Sequence, residues 1–313
     1  MVQIYSWQDL EKGNYSSREN LETARKIAIS LMQKLHERGW IESATIFGSI
    51  ARKEFSLGSD LDVLIISKPE KQALVEKYLT RVFKNSVENL KVKPEITHMN
   101  SKEARSGYHS LSPLMFKLLK SDVGKKTTVG TDPRKLVRIR KLDLARDKES
   151  HLAAVINAAR KGNIMRSFDK AHDRPEYYQN LQFAIDRVIN NARHILDMRK
   201  ALPKIDGKTD YRKSTVVRVY AELFKGSPAA KSLQRIAEAS ANYQNALRGA
   251  TESLKNGNAA NIAQARQEYE KALSGIERIV PDSTKFFEAN ARLVGKANRP
   301  KPIKRRILPR LRK

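Results

Sequence analysis

Apolar positions follow two regimes along the chain. Up to Met99 they alternate between helical stripes and short unbroken runs, and beyond Leu136 they are helical throughout. Ser16-x-x-Glu19 has the form of a capping box. Leu21, Ala24, Ala28, Leu31, Met32 and Leu35 then recur every three or four residues, which predicts a helix that Gly39 ends. Thr45-Ile46-Phe47 and the run Leu61 to Ile66 read as buried strands. A helix is predicted over residues 70–84, opened by Pro69 and carrying Ala73, Leu74, Tyr78, Val82 and Phe83. Leu90 to Met99 reads as a strand, and Pro94, which has no N–H for a ladder, puts it at the sheet's side. Ser101 to Lys120 is predicted helical with a break at Ser112-Pro113. A Gly/Thr-rich stretch from Val123 to Pro133 follows and includes the loop Gly130-Thr131-Asp132-Pro133.

In the second regime the strongest helices are expected at 144–162 and 176–200. The latter carries Leu181, Ile185, Val188, Ile189, Ile195 and Leu196 on one stripe. Gly/Pro breaks at 202–207, 226–228 and 256–257 leave helices near 213–225, 229–254, 259–279 and 283–294. The expected fold class is therefore α+β, a small mixed sheet with helices followed by an all-α bundle.

Chemistry enters between the first two strands. Gly48-Ser49 breaks the first apolar run into a turn that opens a helix, where unpaired backbone N–H groups favour an anionic phosphate. Gly48 admits close approach of a ligand, and the Ser49 hydroxyl adds a hydrogen bond. Asp60 and Asp62, two apart at the start of the next strand, point the same way. Two adjacent carboxylates repel unless a cation sits between them, and Mg²⁺ takes such oxygen ligands beside substrate phosphates. Separately, a Gly-Ser turn is most often a loop and an Asp-x-Asp a solvated strand end. Joined at this spacing, with strands on both sides, they point to a metal–triphosphate site.

Gly48-Ser49-x-Ala51-Arg52 followed by Ser59-Asp60-x-Asp62 and apolar residues resembles the signature of the minimal nucleotidyltransferases, in the DNA polymerase β-like nucleotidyltransferase superfamily. The likeness covers roughly the first third of the chain. One departure is Lys53, where the family often has Gly. The resemblance implies an NTP held by the Gly48-Ser49 turn with Arg52 and Ser59, and Asp60 and Asp62 on one or two Mg²⁺ ions. It also implies a third carboxylate on a later strand, where Glu95 falls. Glu95 reads equally as a surface residue paired with Lys91 or Lys93, and Arg52 as a surface ion-pair partner. A loop such as that at 130–133 closes the first domain in the resembled family.

The helical half is similar, faintly, to the HEPN domains that accompany minimal nucleotidyltransferases, through Tyr177-x-x-Asn180-Leu181-x-x-Ala184-Ile185-Asp186 and the residues up to Leu196. Catalytic HEPN members place an Arg and a His late in the bundle, but no histidine occurs after residue 200. The spacings Arg146–His151, Arg166–His172 and Arg187–His194 are no more than chance supplies. The half therefore reads as a substrate- or partner-holding bundle rather than a nuclease.

Charge sharpens that reading. The net +27 is divided as +2 over residues 1–99 and +25 over residues 100–313, so a polyanion, RNA first, is the expected partner of the second half. A Lys/Arg-rich proteome without such a partner would give the same excess. Residues 295–313 hold nine Lys/Arg and three prolines without an acid, and should form a mobile basic tail. The chain has no cysteine, which excludes disulfides and thiolate metal sites. It also has no run of about 20 apolar residues to span a membrane. The start, Met1 to Asp9, lacks the charged and apolar stretches of a signal peptide, so cytoplasmic residence is expected. Three units are expected: 1–133 nucleotidyltransferase, 134–295 basic helical, 296–313 tail. The expected activity is Mg²⁺-dependent transfer of a nucleoside monophosphate, from ATP or another NTP, to an RNA or protein hydroxyl, with two metals and pyrophosphate leaving. Alternatives are a small-molecule, aminoglycoside-type transferase, against which the basic half argues, and a non-catalytic RNA-binding or toxin–antitoxin component.

Overall fold

The computed structural model describes residues 3–297 apart from 53–56, 110, 112, 123, 125, 141–174 and 206. Four strands, β1 (Ile41–Phe47), β2 (Leu61–Ser67), β3 (Pro94–Asn100) and β4 (Thr128–Gly130), form one mixed sheet in the order β3-β2-β1-β4. β1 is antiparallel to both β2 and β4, and β2 is parallel to β3. Pro94 thus opens an edge strand, as its missing N–H demands.

Helices cover both faces, which is why β1 and β2 are buried almost without alternation. On one face lie α2 (Arg18–Glu37) and a helical stretch built of a 3₁₀ turn (Pro69–Lys71), α4 (Gln72–Tyr78), a π-helical turn (Leu79–Phe83) and α5 (Lys84–Glu88). Leu21, Ala24, Met32 and Leu35 pack there against Ile46, Val63, Ile65 and Phe83. This stretch runs four residues past the predicted end. On the other face, Phe47, Leu64, Ile66 and Met99 pack against Phe116 and Leu119 of α7 (Pro113–Asp122). α6 (Ser101–Ser106) and α8 (Pro133–Leu136) border the same face.

Two local readings need correction. The N-cap of α2 is Ser17, whose hydroxyl accepts the Asn20 N–H at 3.0 Å. Ser16 is fully buried and accepts the Gly58 N–H at 3.0 Å instead, so the N-cap falls one residue later and the expected capping box does not form. The Gly/Thr-rich stretch also contributes β4. There the Thr127 carbonyl accepts the Ile46 N–H at 2.9 Å and the Thr45 hydroxyl at 3.1 Å. Gly130 has φ +75°, and a Cβ on it would lie 2.5 Å from the Glu42 carbonyl oxygen. The glycine that looked like a loop marker is what lets an edge strand come so near.

The helical half consists of α9 (Pro175–Met198), α10 (Lys213–Leu223), α11 (Pro228–Asn256), α12 (Ala259–Glu277) and α13 (Ile279–Ala297) among the described residues. A short hairpin, β5 (Lys204–Ile205) and β6 (Lys208–Thr209), fills the break after α9. The helix expected at 144–162 lies outside the described residues, as does the tail beyond Ala297. No described helix is long and apolar enough to cross a membrane.

The first residues cross to this half. Ile4, Tyr5, Trp7 and Leu10 of the segment holding α1 (Trp7–Glu11) are buried in the helical core. The Tyr243 hydroxyl accepts the Tyr5 N–H at 3.0 Å and lies 3.0 Å from the Tyr269 hydroxyl, which donates to the Tyr5 carbonyl at 2.9 Å. Tyr269→Phe keeps the ring but leaves the Tyr5 carbonyl short of a donor, which should cost about 1–2 kcal/mol. The expected result is a lower urea midpoint and faster proteolysis near residue 5; an unchanged midpoint would show that the clasp carries no stability.

Candidate functional site

The register of the sheet assembles the acids. Phe47, the last residue of β1, pairs with Asp62, and Asp62 pairs with Glu95 on the parallel neighbour. Asp60 precedes β2 and is almost fully buried. One carboxylate oxygen from each of Asp60, Asp62 and Glu95 lies within 4.8 Å of the others. Burial, then the neighbouring Asp60 carboxylate, raises the Asp62 pKa well above the ordinary range and raises that of Glu95 too. Lys93 stands 3.8 Å from Glu95, so the surface pairing and the acid cluster both exist. An all-oxygen, hard donor set that is repulsive when ionised fits a divalent cation such as Mg²⁺.

Directly after β1 the chain turns into the short α3 (Gly48–Ala51). Gly48 has φ +76°, and a Cβ there would sit 2.0 Å from Asp62 Oδ2. Only glycine fits between the turn and the acid. The Gly48 N–H donates to Asp122 Oδ2 at 2.9 Å, and Arg52 Nη1 meets the same oxygen at 2.5 Å. Burial raises the Asp122 pKa despite Arg52, and its other oxygen, Oδ1, is buried without a hydrogen-bond partner. Asp122, the last residue of α7, carried no signal in the sequence, because only the packing of Phe116 and Leu119 on the sheet brings it to Gly48.

These elements open onto a cavity of about 560 Å³, within the range of ordinary ligand pockets. Gly48, Ser49, Arg52, Ser59, Asp60, Asp62 and Glu95 all line it. The helical half forms the opposite wall with Asp186, Asn190 and Arg193 of α9 and with Arg212, Lys213 and Ser214 at the start of α10. Asp186, Asn190 and Arg193 are spaced by four and three, a polar row beside the apolar stripe of α9 that could have flagged this face. Arg193 is buried, donating from Nε to the Tyr211 carbonyl at 3.0 Å and from Nη1 to Asn190 Oδ1 at 2.8 Å. Burial and the nearby Arg52 charge lower its pKa to about 10, so it remains a cation at neutral pH. Arg212 is held by Asp210 through contacts of 2.9 and 2.7 Å, and Thr215 donates to the same carboxylate at 2.6 Å. Although burial opposes it, these bonds bring the Asp210 pKa down to about 2.

An acid cluster across a cleft from cations, the buried Arg193 among them, is the layout of a site for a metal-bound polyphosphate. Residues 26–113 match the model of the nucleotidyltransferase domain family. This stretch is a nucleotidyltransferase domain of the polymerase β-like superfamily, and the chain is a transferase whose substrate is an NTP. The match ends before the helical half, and no curated protein matches the chain.

The folded chain holds the Asp62 and Glu95 protons more tightly than an unfolded chain does. Metal-free stability should therefore fall as pH rises from about 4 towards these raised values. Asp62→Asn should raise the metal-free Tm at pH 7.5 and flatten that fall. A lower Tm for the variant would mean that the buried charge is already compensated within the chain.

Proposed function

We propose that the protein transfers a nucleoside monophosphate from an NTP, with ATP as the expected donor, to a hydroxyl of a macromolecular acceptor, an RNA end before a protein. The observation that carries this is the acid cluster of Asp60, Asp62 and Glu95, with Arg52 on the same wall, facing Arg193, Arg212 and Lys213 across one cavity. Residues 1–133 are read as the nucleotidyltransferase unit, 134–295 as a basic helical unit and 296–313 as a basic tail.

In this reading Asp60, Asp62 and Glu95 hold Mg²⁺, two ions when fully loaded. Bound there, Mg²⁺ supplies positive charge at the reacting phosphate and lowers the pKa of a hydroxyl beside it. The chain does the rest. Gly48 leaves room for the α-phosphate beside Asp62, the Ser49 hydroxyl donates to a phosphate oxygen, and Ser59 lines the floor next to Asp60. Arg52, held by Asp122, and Arg193, held by Tyr211 and Asn190, offset charge on the outer phosphates. The acceptor oxygen attacks the α-phosphorus, and its proton passes to a Glu95 carboxylate oxygen. The bond from the α-phosphorus to the bridging oxygen breaks, and pyrophosphate leaves with the electron pair.

A second reading draws on the cavity wall. Asp122 and Asp186 join the three acids there, so the cavity is not basic although the helical half is, and a small-molecule acceptor is the competing substrate class.

Asp60→Ala and Asp62→Ala should each abolish labelled-NTP transfer with Mg²⁺ to total cellular RNA or protein, and Glu95→Gln should cut it at least tenfold. Turnover unchanged in Asp60→Ala would remove the metal-site reading. RNA affinity should fall steeply with salt, by about 0.7 in log–log slope per phosphate contact on single strands. Deleting residues 298–313 should flatten that slope while leaving NTP binding as it was. Salt-insensitive RNA binding by the full chain would instead favour a protein or small-molecule acceptor.

A further inference from the structure

Asp186 stands apart from the acids that the proposed chemistry uses. It lines the cavity from α9 and is only 9% exposed, and its Oδ2 is buried without a hydrogen-bond partner. A buried carboxylate oxygen left without a hydrogen bond is costly, so it favours a ligand that donates one. It is not far from the chemistry: its charge contributes to raising Glu95 and to keeping Arg193 charged.

The surroundings indicate what kind of donor fits. Lys213 Nζ stands 3.5 Å from Oδ1, so the charge of Asp186 is already balanced. An incoming ammonium would meet Lys213, Arg193 and Arg212 in the same cavity. A phosphate would meet the carboxylate itself. An uncharged hydroxyl suffers neither repulsion. One turn on, Asn190 uses its Oδ1 to accept from Arg193 at 2.8 Å, which leaves its amide NH₂ as a donor on the same face. A carboxylate oxygen and an amide NH₂ on successive turns suit two neighbouring hydroxyls, one donating to Asp186 and one accepting from Asn190.

We propose that Asp186 and Asn190 form a sugar-hydroxyl subsite that reads a ribose diol at the transfer centre and so selects ribo- over deoxyribo-substrates. This rests on the nucleotidyl-transfer reading for which molecule brings the sugar. The diol belongs either to the incoming nucleotide or to the terminal ribose of an RNA acceptor. Asp186 acts here as a specificity residue, accepting a hydrogen bond and taking no proton.

The test uses the full chain with Mg²⁺. ATP is compared with 2′-deoxy-ATP, and an RNA oligonucleotide with the same oligonucleotide ending in a 2′-deoxyribose, on wild type, Asp186→Asn and Asp186→Ala. Wild type should disfavour the deoxy form about 10- to 100-fold in one of the two pairs, the loss expected for a hydrogen bond to a charged acceptor. Asp186→Asn should retain part of that preference and Asp186→Ala none, with the ribo form losing affinity and the deoxy form unchanged. Discrimination in the ATP pair assigns the diol to the nucleotide; discrimination in the RNA pair assigns it to the acceptor. Calorimetric binding of the same ligands gives the comparison without turnover. Absent transfer with a preserved diol preference would overturn the transferase reading alone. Equal binding of ribo and deoxy forms by wild type, or equal preference in wild type and Asp186→Ala, would overturn the subsite.

Discussion

Three carboxylates crowded at the end of a sheet are the constraint on which the rest of this structure turns. Asp62 and Glu95 are locked side by side by the parallel register of β2 and β3, and Asp60 is buried next to them. Backbone hydrogen bonds hold them together against their repulsion, so the arrangement is strained electrostatically before any ligand arrives. The same crowding dictates Gly48, since even a methyl group would overlap Asp62. A sheet that could relax its register would relieve the repulsion and lose the site. The apolar cores on both of its faces prevent this, because a one-residue slip would turn Val63 and Ile65 out of one core and Leu64 and Ile66 out of the other.

Charge opposite that cluster comes from the other half of the molecule. α7 is the hinge element between them. Its Phe116 and Leu119 belong to the sheet's core, Leu118 packs on the helical core, and Lys117 pairs with Asp197 of α9. Asp197 in turn accepts from the Tyr211 hydroxyl at 2.8 Å, just after the β5–β6 hairpin. The Arg52–Asp122 contact and the position of Arg193 are therefore tied to one docking geometry. The crossing of Ile4, Tyr5 and Trp7 into the helical core adds a second tie at the far side. Cavity shape and charge balance depend on both ties, since neither half alone surrounds the acids.

Bulk charge proved a poor guide to the cavity. Residues 100–313 carry +25 of the net +27, yet the residues that α9 and the start of α10 send to the cleft include Asp186 beside Arg193 and Lys213. Surface lysines and arginines set long-range attraction for a polyanion. What a bound ligand meets is decided by a handful of buried groups, whose partners and burial no composition reports.

Local chemistry written in short stretches was legible from the residues alone. The stripe of α2, the strands around Gly48-Ser49 and Asp60-x-Asp62, the edge position implied by Pro94 and the helices after residue 175 all follow from periodicities and backbone limits that act within a few residues. Tertiary structure alone decided what needed distant partners. β4 exists because Thr127 and Gly130 can reach β1 across 80 residues. Ser16 lost its capping role to Gly58 and Tyr5. Asp122, Asp186 and Arg193 became lining of the cavity through helix docking. A carboxylate or guanidinium reads the same in sequence whether it is solvated or sealed in a cleft; its chemistry changes with burial and neighbours, and those are settled only when separate elements pack.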